Sequence, residues 1–151
     1  LTFRFATVFG ASPRMRLDLL VNDFVYRAVF DRTVVLFEAH FKRNYLHVHD
    51  AAKVFIHAIE SYDTMKGNAY NVGLSSANLS KEELCLEIQR EVPAFKYLIA
   101  PIGEDVDKRN YIVSNEKIER SGFTPSRSIK DGIIELKKAY QIIKRTEYGN
   151  I

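Results

Sequence analysis

Glycine is thinly spread along this chain. The seven glycines, Gly10, Gly67, Gly73, Gly103, Gly122, Gly132 and Gly149, lie well apart from one another. A dinucleotide's pyrophosphate is approached by backbone at a helix N-terminus only where glycines stand at close spacing, so no such cradle is encoded. Cysteine is nearly missing: Cys85 alone excludes an internal disulfide and leads to the expectation of a reducing, cytoplasmic setting. No apolar run approaches the ~20 residues of a membrane helix and no signal-peptide pattern opens the chain, so no membrane partner is expected. A strong excess of either charge is lacking as well. With 22 basic and 19 acidic residues the formal net charge is +3, and the last helical stretch interleaves Lys130, Asp131, Glu135, Lys137, Lys138, Lys144 and Arg145. That is a solvated helix face, and no nucleic-acid partner is expected. Repeats, linkers and low-complexity segments do not occur.

What is present is enough apolar material, 46% of 151 residues, for one packed core. Strands are expected over residues 2–8, 33–37, 45–48, 69–72, 96–99 and 111–113. Leu17, Leu20, Val21, Phe24, Val25, Ala28 and Val29 recur at spacings of three and four and predict a helix over 16–31. Ser80 with Glu83 forms a capping box for a helix that runs to about Glu91 and stops before Pro93. A brief helix over 115–120 ends at Gly122, and Ser128 with Asp131 caps a long last helix. Alternating strands and helices of these lengths mean an α/β arrangement with parallel pairing.

The run Phe41-Lys-Arg-Asn-Tyr-Leu-His-Val-His-Asp50 is the most informative segment. Its apolar strand is expected to feed directly into a helix capped by Asp50 and continued by Val54, Phe55, Ala58, Ile59 and Tyr62. Arg43 falls one step before that strand, where its planar guanidinium is placed either to grip a diphosphate from the side or simply to face solvent. His47 and His49 alternate, so a strand would turn both imidazoles to one side. With no cysteine nearby and no acid beyond Asp50, that pair is read as structural and no metal is expected.

These segments, with Leu1-Thr-Phe-Arg-Phe-Ala-Thr-Val-Phe-Gly10, Ser12-Pro-Arg-Met-Arg-Leu-Asp18, Tyr70-Asn-Val-Gly73, Asp107-Lys-Arg-Asn-Tyr111 and Lys117 through Gly122-Phe-Thr-Pro125, resemble in order the extended short-chain dehydrogenase/reductase family. The likeness is to its NAD-dependent epimerase/dehydratase branch, which acts on nucleotide-sugars, and it extends over nearly the whole chain. It implies that the chain is the C-terminal part of an NAD(P)-binding Rossmann-type epimerase. Its last sheet strands, near 2–8 and 69–72, would accompany the smaller substrate-binding lobe, with the N-terminal cofactor domain absent. NAD or NADP would then serve the full-length protein, and none is expected to bind this portion alone.

Carried over by position, the resemblance makes Arg43 and Arg109 the two arginines that hold the substrate's diphosphate, with Lys108 as an alternative contact. Thr7 would face the sugar or else bury its hydroxyl against backbone. Asn22 would read the sugar or bond within its helix. Ala6 and Val8 would line the nicotinamide. Arg14 and Arg16 are anion contacts or two solvated arginines at a turn. The family's catalytic Tyr-x-x-x-Lys has two matches in spacing, Tyr62 with Lys66 and Tyr140 with Lys144, both read as helix surface or core pairs, so no catalytic residue is expected. The function implied is the substrate-binding portion of a nucleotide-sugar epimerase or dehydratase, silent by itself. The alternatives are a stand-alone nucleotide or nucleotide-sugar binding module and, further off, a nucleic-acid or protein interaction domain. Orphaned sheet strands would expose apolar faces, so the chain is expected either to self-associate or to pack in a way the full-length family does not.

Overall fold

The computed structural model describes residues 1–104 and 107–142. In chain order it forms β1 (Thr2–Phe5), β2 (Thr7–Phe9), α1 (Leu20–Phe30), β3 (Thr33–Leu36), β4 (Lys42–His47), α2 (Val48–Glu60), α3 (Tyr62–Met65), β5 (Ala69–Val72), β6 (Asn78–Ser80), α4 (Lys81–Glu91), β7 (Lys96–Ile99), α5 (Glu116–Glu119) and α6 (Ile129–Ile142). The expected α/β class with parallel pairing is found: β1 pairs with β5, β2 with β4 and β3 with β7, all parallel, while β6 joins β4 antiparallel.

β4 organises the molecule because it is buried along almost its whole length, as a strand covered on both faces must be. Successive side chains alternate between two cores. Tyr45 belongs to a large cluster with Phe9, Val25, Leu84, Ile88, Ile133 and Leu136, built from α1, α4 and α6. Its neighbour Leu46 points the other way, into a smaller cluster with Ala6, Val54, Met65, Val72 and Ile118.

Several boundaries differ from the sequence reading. The strand expected over 2–8 is an extended run that changes neighbours: Ala6 N–H donates to Val72 O at 2.9 Å, and from Thr7 onward the chain pairs with β4 instead. The first helix begins at Leu20, not near Arg16, because Asn22 anchors the preceding turn from both sides. Gly10 N–H donates to Asn22 Oδ1 at 3.1 Å, and the Asn22 amide donates to Arg16 O at 2.9 Å. Arg14 and Arg16 therefore precede the helix, and Arg16 pairs with Asp18.

The helix after β4 starts at Val48, and its N-cap is His47, whose Nδ1 accepts from His49 N–H at 3.2 Å. Asp50 is thus not the cap. It lies buried in the first turn, accepting from Ser126 Oγ–H at 2.8 Å and Arg127 N–H at 2.9 Å. His47 and His49 consequently do not share a strand face. The strand expected over 111–113 is not a ladder strand. Side chains hold its backbone: Val113 N–H donates to Asn78 Oδ1 at 2.9 Å, and Asn78 Nδ2 donates to Val113 O at 3.1 Å.

Candidate functional site

The arginines at 43 and 109 meet. Arg43 lies within β4, not ahead of it, and is only 3% exposed. Its guanidinium donates to two backbone carbonyls, Lys42 O and Asp107 O, both at 3.1 Å, and its Nη2 stands 2.9 Å from Asp107 Oδ1. The Tyr111 ring lies beside it, with Cζ 5.5 Å from the centroid. Arg109 grips the same carboxylate in a two-pronged contact, Nε to Oδ1 at 2.7 Å and Nη2 to Oδ2 at 2.5 Å. One acid therefore bridges a buried arginine and an exposed one. The contact with Arg109 first, and with Arg43 after it, holds the Asp107 carboxyl well below the usual carboxylate range.

The strap from Asp107 to Asn115 makes this meeting possible. Lys42 N–H donates to Asn110 Oδ1 at 2.9 Å and Tyr111 N–H to Lys42 O at 3.2 Å, which pins the strap beside the start of β4. Asparagine amides do the work of a ladder here: Asn110 offers an acceptor to the Lys42 backbone, and Asn78 both a donor and an acceptor to that of Val113. Lys108 points elsewhere and pairs with Glu104.

The other sequence-selected residues distribute as follows. Thr7, in β2, stands in register with Tyr45, so it and Arg43 share the face of the sheet that looks toward α1 and the large core. Ala6 belongs to the opposite, smaller core, and half-buried Val8 alternates to that same side. Asn22 is buried and its amide bridges Gly10 and Arg16; it does not bond within its own helix. Arg14 is exposed.

Of the two tyrosine–lysine pairs, only Tyr62 with Lys66 lies wholly within the described residues, and its members have separate surroundings. Tyr62 is exposed at the start of α3, and Lys66 pairs with Asp63 at 2.9 Å. Tyr140 is buried and donates its hydroxyl to Asn22 O at 2.7 Å, while Lys144 lies outside the described residues. Burial also pushes the Cys85 thiol up to about 12, which removes it as a nucleophile at neutral pH. No group of three metal-ligating side chains occurs among the described residues.

Sequence reasoning missed Asp107 and Tyr111 as partners of Arg43. Asp107 lies two residues before Arg109 and 64 positions after Arg43 in the chain; the first spacing is a visible signal, the second is not. The residues present do not fit a dinucleotide's pyrophosphate. The junction of β4 with α2 is occupied by His47, Val48 and His49, and among the described residues no strand-to-helix turn carries paired glycines.

A family model described as the NAD dependent epimerase/dehydratase family matches residues 1–73. Among solved structures, ADP-L-glycero-D-manno-heptose-6-epimerase from Helicobacter pylori is 22% identical with a TM-score of 0.72, covering 93% of this chain and 44% of that one. UDP-glucuronic acid 4-epimerase from Bacillus cereus, solved with UDP-glucuronic acid and NAD, is 19% identical with a TM-score of 0.71, covering 92% and 44%. L-threonine dehydrogenase from Phytophthora infestans is 16% identical with a TM-score of 0.74, covering 92% and 47%. At these identities the likeness is one of fold, a Rossmann-like α/β architecture, and this chain spans less than half the length of those proteins. The first 73 residues thus match the model of the NAD dependent epimerase/dehydratase family, and the chain shares the fold of these structures over more than nine-tenths of its length.

Proposed function

We propose that this chain is the substrate-holding portion of a nucleotide-sugar epimerase or dehydratase, in which Arg43 and Arg109 clasp the diphosphate of the substrate. One observation carries the reading: two arginines remote in sequence converge on the two oxygens of a single carboxylate. A carboxylate presents oxygens much as a phosphoryl group does, and arginine's planar fork suits both. A unit-charge pair 4 Å apart is worth about 4 kcal/mol at an effective dielectric near 20, before desolvation is subtracted.

Within this reading Thr7 faces the sugar, Ala6 and Val8 border the nicotinamide, Lys108 is a second basic contact beside Arg109, and Asn22 acts indirectly by fixing the Gly10 turn. NAD or NADP would supply the hydride chemistry on polypeptide other than this chain, so the chain alone turns nothing over. The buried single thiol of Cys85 suits a reducing, cytoplasmic setting. The partner surface is the apolar β1 face, which would meet a second copy.

Calorimetric titration with UDP-, GDP- and CDP-sugars tests the clasp. Binding by the isolated chain is expected in the millimolar range, because the pocket is open on one side. Arg109→Gln, at a side chain 66% exposed, is expected to weaken it roughly fivefold to tenfold. Unchanged affinity in that variant would remove the diphosphate role, and turnover by the isolated chain with NAD would remove the claim of silence.

A further inference from the structure

We infer that Asp107 is a resident competitor for the anion site: its carboxylate fills the slot between Arg43 and Arg109 and has to leave before both arginines can hold an incoming diphosphate. The inference rests on the clasp proposed above and concerns how that clasp is regulated.

The two sides of the contact are unequally fixed. Arg43 is buried and keeps two backbone carbonyls, Lys42 O and Asp107 O, as acceptors whatever the carboxylate does. Its Nη2 is already 2.9 Å from Asp107 Oδ1, so an oxyanion reaches that nitrogen by replacing the carboxylate. Oδ1 is crowded, receiving Arg109 Nε at 2.7 Å and Arg109 N–H at 3.2 Å as well. The Asp107 side chain, in contrast, is 41% exposed and lies on a strap, so a change of rotamer delivers it to water. The fixed partner is the cation and the displaceable one is the acid.

Tethered in the same strap as Arg109, the carboxylate competes at high local concentration. The apparent affinity for any anion is reduced by the fraction of time the slot is open. A ligand with two linked phosphoryl groups can occupy both arginines at once and displaces the acid better than a single carboxylate or phosphate does. The device therefore favours diphosphates over the commoner small anions.

Calorimetry with inorganic pyrophosphate and with UDP, on the wild-type chain and on Asp107→Asn, tests this. Removing one negative charge beside the anion while keeping the side-chain shape is expected to tighten both ligands roughly fivefold to tenfold. Arg109→Gln is expected to weaken both. Tightening in Asp107→Asn supports the inference. Wild-type binding weakened by Arg109→Gln but equal or weaker in Asp107→Asn overturns it and leaves the clasp standing. Absence of binding by the wild type and by every Asp107 variant up to tens of millimolar overturns the clasp itself and the inference with it. Should Asp107→Asn lose its circular dichroism signature, Asp107→Ser makes the same charge change with less volume and is read in the same way.

Discussion

Gly132 shows how strictly one position can be set. It lies inside α6, and a Cβ built there would stand 2.2 Å from Cε2 of Phe9 and 3.1 Å from Cδ2 of His47. Phe9 is buried in the large core and cannot swing away. Glycine to alanine inside a helix normally gains about 1 kcal/mol, whereas overpacking a core costs about 1–3 kcal/mol. The contact is severe enough for the second effect to win, so Gly132→Ala is expected to lower stability by roughly 1–2 kcal/mol in urea titration. A raised midpoint would mean that α6 lies further from β2 than described. Nothing in the sequence discloses this contact, because Phe9 and His47 both lie far from Gly132 along the chain. The same reason hid the ion pair of Arg43 with Asp107, while the local pairing of Asp107 with Arg109 two residues on was open to reading. Arg43 and Arg109 themselves could be singled out because a family pattern marked them.

At the scale of elements, legibility followed the range of the interactions. The capping box is present as read: Glu83 N–H donates to Ser80 Oγ at 3.0 Å and Ser80 N–H to Glu83 Oε2 at 2.7 Å. Both bonds close within four residues, so composition alone specifies them. Ser80→Ala is therefore expected to destabilise the chain by about 1 kcal/mol, with Glu83 left near the helix N-terminus to retain part of the favourable dipole interaction. Chemical denaturation monitored by circular dichroism checks it, and a change under a few tenths would show that α4 is held by core packing alone. Asp50 went the other way. Its residue type favours a cap, yet Ser126 and Arg127, 76 and 77 positions later, draw its carboxylate inward and leave the capping to His47. The segment after Asp107 was misread for a related reason. Its apolar run Tyr111-Ile112-Val113 suggests a strand, but the Asn78 side chain satisfies the Val113 backbone, and Asn110 turns its own side chain to Lys42 N–H of β4.

For the whole molecule, the decisive feature is an apolar surface that no other described residue covers. β1 has a hydrogen-bonded neighbour, β5, on one side only among the described residues, and a bare edge invites another strand. Phe3, Phe5 and Phe55 pack with ring centroids 5.5 to 5.8 Å apart, and with Leu1, Ile59 and Tyr62 they line an open apolar hollow of about 400 Å³. Ile59 is 77% exposed and Phe55 53%. Fully burying a side chain of this size contributes about 1.5–3 kcal/mol, so several together outweigh the entropy of a weak association. Sedimentation velocity over a hundredfold range of concentration is expected to show the average mass rising toward that of a dimer. Ile59→Glu should return the chain to monomer with its helix content intact, since the side chain points outward from α2 and supports neither core. A compact monomer at every concentration would show instead that the aromatic cluster satisfies itself, with Phe55 closing over Phe3 and Phe5 well enough to shield β1 from a second copy.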